Sequence, residues 1–167
     1  MSSSPIFRLF SVFCLSLFLF ACGPRGTEEI IEDRIEEETG EDAEVDMEDG
    51  AMYIETEEGT VDVGAVSLPA DWPTDVSVYE GATITQVMSV NPATGDAGRA
   101  VIFTTTDTAA DVVAFYKSQL PLDGWTMEAS MEAGTTTILS GAKDERKVSL
   151  MIVWNGEMTS VTMGLQE

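Results

Sequence analysis

Cysteine and histidine decide much of the chemistry that is open to this chain. The sequence has two cysteines, Cys14 and Cys22, and no histidine. Without an imidazole there is no Ser-His-Asp triad, no histidine-ligated metal site and no histidine acid–base catalysis. Cys14 lies inside an apolar N-terminal run and Cys22 ends it. Removal of that run would therefore leave one thiol without a disulfide partner.

Carboxylates are the other groups that could carry out a reaction, because a pair of them can hydrolyse a glycosidic bond. Asp107, Asp111 and Asp123 fall at helix ends and turns, where capping is their ordinary role. The sequence also lacks glycine-rich phosphate loops of the GxxxxGK[ST] and GxGxxG types. We expect a non-catalytic protein with no metal and no cofactor. A carboxylate hydrolase is the least favoured alternative.

The N-terminal run indicates export. Arg8 gives the start a positive charge, and the run from Leu9 to Ala21 is apolar except for two serines. It is about 13 residues long, whereas a helix that crosses a bilayer needs roughly 20. A charged start, a short apolar centre and a small residue before the break are typical of a secretory signal. We predict a signal peptide over residues 1–21.

The end of the run resembles the lipobox of bacterial lipoproteins. Leu19, Phe20 and Ala21 stand directly before Cys22. The resemblance implies cleavage before Cys22, a diacylglyceryl thioether on its sulfur, and a fatty acid such as palmitate on the new amino group. Several acyl chains anchor a protein stably to a membrane. The resemblance also implies the cell envelope, and the outer membrane where one exists, because Gly23 replaces the aspartate that favours the inner membrane.

An acidic segment follows the cysteine. More than half of the 30 acidic residues lie between Glu28 and Asp62, together with one base, Arg34. High charge with little to bury keeps a segment disordered. We therefore predict that residues 22–51 are the lipidated N-terminus and a disordered tether. Two alternatives stay open, a short helix with the isoleucines of 30–35 on one side and diffuse binding of divalent cations.

The rest of the chain indicates a small α+β fold. Residues 52–65 are predicted to form a β-hairpin, and residues 66–167 to form one module that opens with an extended, proline-containing arm. The predicted strands of the module lie at about 84–90, 99–106, 126–131, 135–141, 148–154 and 160–165. We expect an antiparallel sheet of about five or six strands with one helix packed on one face, preceded by the disordered tether.

The helix is the clearest element of the module. Thr108 can cap its N-terminus, with Asp111 as the acid of a capping box. Val112, Tyr116 and Leu120 recur every four residues and give the helix one apolar face. Pro121 is expected to stop the helix, and Asp123-Gly124 to turn the chain.

Two stretches of the module, "LPADWPTDVSVYEGA" and "FYKSQLPLDGW", are similar to a small module that recurs in uncharacterised bacterial lipoproteins and exported proteins. The similarity covers about residues 66–165. It implies the exported location and a helix-on-sheet fold. It assigns a role to no residue.

A single helix covers only one face of a sheet, and this predicts a partner surface on the other face. If alternate residues of the strand at 148–154 face the helix, then Met151 and Val153 point away from it, beside Ile102. An exposed apolar patch there would mark a contact site. The alternative is that the arm or the hairpin covers this face.

These features favour a membrane-anchored, non-catalytic envelope lipoprotein that binds a protein or an envelope polymer, with an acidic spacer between module and membrane. The alternative is a structural acidic surface or spacer lipoprotein without a specific ligand. The membrane is bound through the lipidated Cys22. We expect no nucleic-acid partner, because the net charge of −22 repels phosphates.

Overall fold

The computed structural model describes residues 24–48, 50–64, 66–90 and 98–166. These residues form one antiparallel sheet of nine strands and two helices, α1 (Pro24–Thr39) and α2 (Ala109–Leu122). The strands are β1 (Ala43–Glu48), β2 (Ala51–Thr56), β3 (Gly59–Val63), β4 (Thr83–Val90), β5 (Gly98–Thr105), β6 (Thr126–Ala133), β7 (Thr136–Lys143), β8 (Arg146–Trp154) and β9 (Thr159–Gln166). Their order across the sheet is β1-β2-β3-β4-β5-β9-β8-β7-β6.

Helix α2 connects two strands that are not neighbours. Strand β5 precedes it, and strand β6 follows it at the far edge of the sheet. The helix therefore crosses one face of the sheet, and the hairpins β6-β7-β8-β9 bring the chain back until β9 pairs with β5. The face under the helix holds the main core.

Local sequence explains where α2 begins and which side it buries. The Thr108 hydroxyl donates to the Asp111 carboxylate at 2.6 Å and accepts from the Asp111 backbone N–H at 3.3 Å. This is the predicted cap. Val112, Tyr116 and Leu120 are all buried, as their spacing predicts. Beneath them lie the fully buried side chains of the sheet, which are Val101, Phe103, Leu139, Val148, Leu150, Ile152, Val161 and Met163.

The predicted sheet of five or six strands with one helix is wrong. The strands predicted for the module are present, but β1, β2 and β3 extend the same sheet beyond β4. The hairpin at 52–65 is thus part of a nine-stranded sheet. The extra strands escaped prediction because nothing in a local pattern shows that β3 pairs with β4.

The predicted disordered tether is also wrong for the residues that the structure describes, because α1 and β1 occupy most of it. Glu32 accepts the backbone N–H of Val45, and Glu28 accepts that of Met47, both at 3.0 Å. These N–H groups lie on the outer edge of β1. Without acceptors, the unpaired backbone groups of an edge strand can pair with a strand of another chain. The buried Ile35 completes the contact with β1. Carboxylates that the composition marks as solvated therefore serve as acceptors along a sheet edge.

The extended arm at 66–82 packs on the same side of the sheet as α2. Trp72 and Val76 join the main core, and the Trp72 indole donates to the Val76 carbonyl at 2.7 Å. The Tyr116 hydroxyl donates to the Ser77 carbonyl at 3.1 Å. Within the described residues the arm therefore packs on the helix side and not on the opposite face, contrary to the alternative raised from the sequence.

One ion cluster fixes the arm to the β7–β8 turn. Arg146 binds both carboxylate oxygens of Asp75, at 3.1 and 2.5 Å, and Lys143 donates to the same carboxylate at 2.5 Å. The Trp125 indole donates to the Asp75 carbonyl at 2.7 Å, and the Arg146 guanidinium lies over the Trp125 ring. The hydrogen bonds from Arg146, with a smaller contribution from Lys143, lower the pKa of Asp75 to about 2.

Candidate functional site

A cleft of about 530 Å³ lies between the arm and strands β2–β5. At its mouth the Arg99 guanidinium donates to the Asp71 carboxylate at 2.7 Å, and the Thr60 and Ser89 hydroxyls are 2.7 Å apart on its wall. Burial raises the pKa of the Asp62 carboxyl. The volume directly under α2 holds packed side chains, so this cleft lies to one side of the main core. Its lining is mixed, with the acids Glu55, Asp62 and Asp71, the base Arg99, hydroxyl groups and apolar side chains.

The opposite face of the sheet differs in chemistry from the rest of the molecule. Directly paired residues of antiparallel strands point to the same side, so the register defines rows that cross strands β6, β7, β8, β9 and β5. One row, the large-residue row, is Met131, Ile138, Met151, Thr162 and Ile102. The adjacent small-residue row is Ala129, Ser140, Ser149, Gly164 and Ala100.

Two further rows flank this pair. Beyond the large-residue row lie Ala133, Thr136, Val153, Ser160 and Thr104. Beyond the small-residue row lie Thr126, Ala142, Lys147, Gln166 and Gly98. We call these four rows together the uncharged face. The rows contain no acidic residue, and Lys147 is their one base. Glu128 stands outside the rows, at the register shift of the edge strand β6.

The absence of carboxylates from these rows is notable in a chain with 30 acidic residues and a net charge of −22. The solvent side of a half-covered sheet is normally its polar side. On the uncharged face the side chains of Met131, Ile138 and Met151 are 62%, 42% and 45% exposed. Among the described elements, both α2 and the arm lie on the other side, and α1 contacts β1.

The structure brings the sequence-predicted partner residues together. Met151 and Ile102 share the large-residue row, on either side of Thr162, and Val153 lies in the next row. Met151 is exposed, whereas Val153 and Ile102 are half-buried. Sequence reasoning missed Met131 and Ile138. Their membership depends on the pairing of β6 with β7 and of β7 with β8, which no local pattern fixes.

Comparison with known proteins gives one finding. A family model described as START domain-like matches residues 84–159. The matched segment begins in β4, contains α2 and ends at the start of β9, which is less than half of the chain. START-like folds are helix-grip folds, and most are binding modules, so the match is compatible with binding. No curated protein and no solved structure gives a significant match.

Of the other sequence-predicted groups, the described carboxylates Asp107, Asp111 and Asp123 lie outside the rows of the uncharged face. Cys22 and the predicted signal peptide are outside the described residues. Asp107 and Asp111 stand at the N-terminus of α2, where they accept from Tyr79 and Thr108, and Asp123 stands at the other end, where it accepts from Gln119. These carboxylates do not converge. Within the ranges that the structure describes, no acidic or cysteine cluster has the arrangement of a metal site, and no helix is long and apolar enough to span a membrane.

Proposed function

We propose that this chain is a lipid-anchored, non-catalytic protein of the bacterial cell envelope that binds a partner macromolecule through the uncharged face. The observation that carries the proposal is the concentration of exposed methionine and isoleucine in sheet rows that have no carboxylate. Methionine adapts its shape to a partner and is enriched at protein contacts. An acidic protein that needed only solubility would place acids there as it does elsewhere.

The residues Leu19–Cys22, which resemble a lipobox, support the anchor. The fold determines how far from the anchor the folded body lies. Helix α1 begins at Pro24, two residues after Cys22. Two residues span at most about 7 Å. The folded body therefore sits close to the membrane surface, and we favour the outer membrane where there is one.

The alternative of a simple acidic spacer has less support. A spacer requires an extended segment between anchor and module. Here β1 is the edge strand of the sheet, and α1 is hydrogen-bonded to it. The acidic segment is then part of the folded body. A partner protein is favoured over a charged envelope polymer, because a polymer recognised by charge would call for more bases than Lys147 on the face.

Photo-crosslinking in intact cells tests the proposed function. A photoreactive amino acid is placed at Met151 or Val153 and, as the matched control, at Leu122, which is 79% exposed on the helix side of the molecule. We expect a discrete crosslinked product from both positions on the uncharged face and none from Leu122. Equal crosslinking at all three positions, or none at Met151 and Val153, would contradict the proposal.

The anchor is tested separately by metabolic labelling with a fatty acid. The wild-type protein is expected to carry the label and to fractionate with membranes, and the Cys22→Ser variant to lose both properties. Label that persists on the variant would place the attachment elsewhere.

A further inference from the structure

We propose that the partner on the uncharged face is a second copy of this chain, packed face to face about a two-fold axis that runs along the rows. This inference rests on the proposed function, since it names the occupant of the same surface. Three properties of the face support it: its charge, its relief and its area.

Charge restricts where two copies can meet. The protein has a net charge of −22, so most surfaces of two copies oppose carboxylate to carboxylate. Like charges facing each other across an interface cost several kcal/mol. The uncharged face avoids this opposition. Its rows hold no aromatic residue and a single base, Lys147, so they lack the cluster of bases that favours a lipid surface or an acidic partner.

The relief of the face is self-complementary. The large-residue row forms a ridge, and the small-residue row beside it forms a groove. Rotation about an axis lying between and parallel to the two rows places the ridge of each copy over the groove of the other, as an isologous contact requires. Met151 then faces Ser149 of the second copy, and Lys147 faces Val153 of the second copy rather than its own equivalent.

The area agrees with a stable dimer. Five strands spaced about 4.8 Å apart and eight residues rising about 3.4 Å each give a face of roughly 650 Å² in projection. Stable interfaces bury about 800 Å² of accessible surface on each partner, and the accessible surface of a pleated face exceeds its projection. Twisted sheets pack at about 10 Å with their strands about 30° from alignment.

The proposed axis is also compatible with two lipid anchors on one membrane. The rows cross the sheet from the β6 edge towards the β1 edge. Helix α1 lies on the β1 edge, and Glu28 near its start bonds to Met47 there. Both copies therefore present their N-termini at the same end of the axis.

Sedimentation equilibrium of the full-length chain, extracted in a density-matched neutral detergent, tests the inference. We expect a monomer–dimer equilibrium for the wild type. Met151→Glu places two new carboxylates in the interface and is expected to raise the dissociation constant at least tenfold. Leu122→Glu adds the same charge on the helix side and is expected to leave it within twofold. Because Met151 is 45% exposed and Leu122 is 79% exposed, both variants should retain the wild-type circular dichroism spectrum.

A second variant tests the register. Met151→Lys is expected to weaken the dimer, and the addition of Ser149→Glu to restore it, because the new ammonium group of one copy would meet the new carboxylate of the other. Dimerisation that is insensitive to Met151→Glu would overturn the inference. So would a wild type that stays monomeric at all concentrations. If that monomer is still crosslinked from Met151 to a different protein in cells, the proposed function stands. If it is crosslinked to nothing, the proposed function also fails.

Discussion

Replacement of Asp75 by alanine is expected to lower the free energy of unfolding by about 3 kcal/mol and the melting temperature by roughly 10 °C. The substitution removes the one carboxylate that both Lys143 and Arg146 bind, and it leaves two partly buried cations facing each other. The side chain of Asp75 is 22% exposed, so water compensates only part of the loss. Thermal and chemical denaturation measure the effect.

Asp71→Ala is the matched control, because Asp71 also forms an ion pair with an arginine but is 72% exposed. Exposed pairs contribute little, so we expect a loss below about 1 kcal/mol. Equal losses for the two variants would mean that the ion cluster does not fix the arm.

The same cluster predicts a pH dependence. The pKa of Asp75 is lowered from 3.8 to about 2 in the folded protein. Its ionised form therefore stabilises the fold fully above about pH 4, and this contribution, about 2 kcal/mol, is lost as the pH falls towards 2. Asp75→Asn should remove that part of the acid dependence. An unchanged acid limb in the variant would contradict the assignment.

Gly59→Ala is expected to separate the N-terminal strands from the rest of the sheet, at a cost of about 3 kcal/mol. Gly59 has φ +152°, and a Cβ atom there would lie 1.9 Å from the Ser89 carbonyl oxygen of β4. Backbone must therefore move at the point where β3 joins β4. Hydrogen exchange should show lost protection in β1, β2 and β3 while β5 to β9 remain protected.

Gly156→Ala is the control for this change. Gly156 also has a positive φ, +101°, but no atom lies within 4 Å of the added carbon. Gly156→Ala should lower the free energy of unfolding by only about 1 kcal/mol, because alanine disfavours a positive φ. It should leave the exchange pattern of β1 to β3 unchanged. Similar exchange in both variants would mean that the N-terminal strands are not held on β4.

The sequence predicted the parts of the fold that local patterns determine. Helix α2 follows from its four-residue spacing and the cap at Thr108, and the strands from β4 to β9 follow from apolar alternation and short turns. Met151 and Ile102 could be placed on one face because alternation fixes the side of the sheet to which each residue points.

Composition was misleading in the acidic segment. Its carboxylates indicated a solvated chain, but Glu28 and Glu32 satisfy edge donors of β1, and Val45 is buried, as is Ile35 of the helix that contacts β1. These carboxylates can accept hydrogen bonds only once β1 exists, and β1 forms only as part of the sheet that begins with its pairing to β2. Met131 and Ile138 were missed for a related reason, since the rows of the uncharged face arise only when separate segments come into register.

The methionines of the protein allow the most direct test that the uncharged face is a covered binding surface. Limited peroxide oxidation, read by mass spectrometry, compares Met131 and Met151 on that face with Met158, which lies in the β8–β9 turn and is 39% exposed. In the isolated monomer Met131 and Met151, with 62% and 45% exposure, should oxidise at least as fast as Met158. In native membranes both should become several-fold slower than Met158. Unchanged relative rates in the two states would show that nothing covers the face.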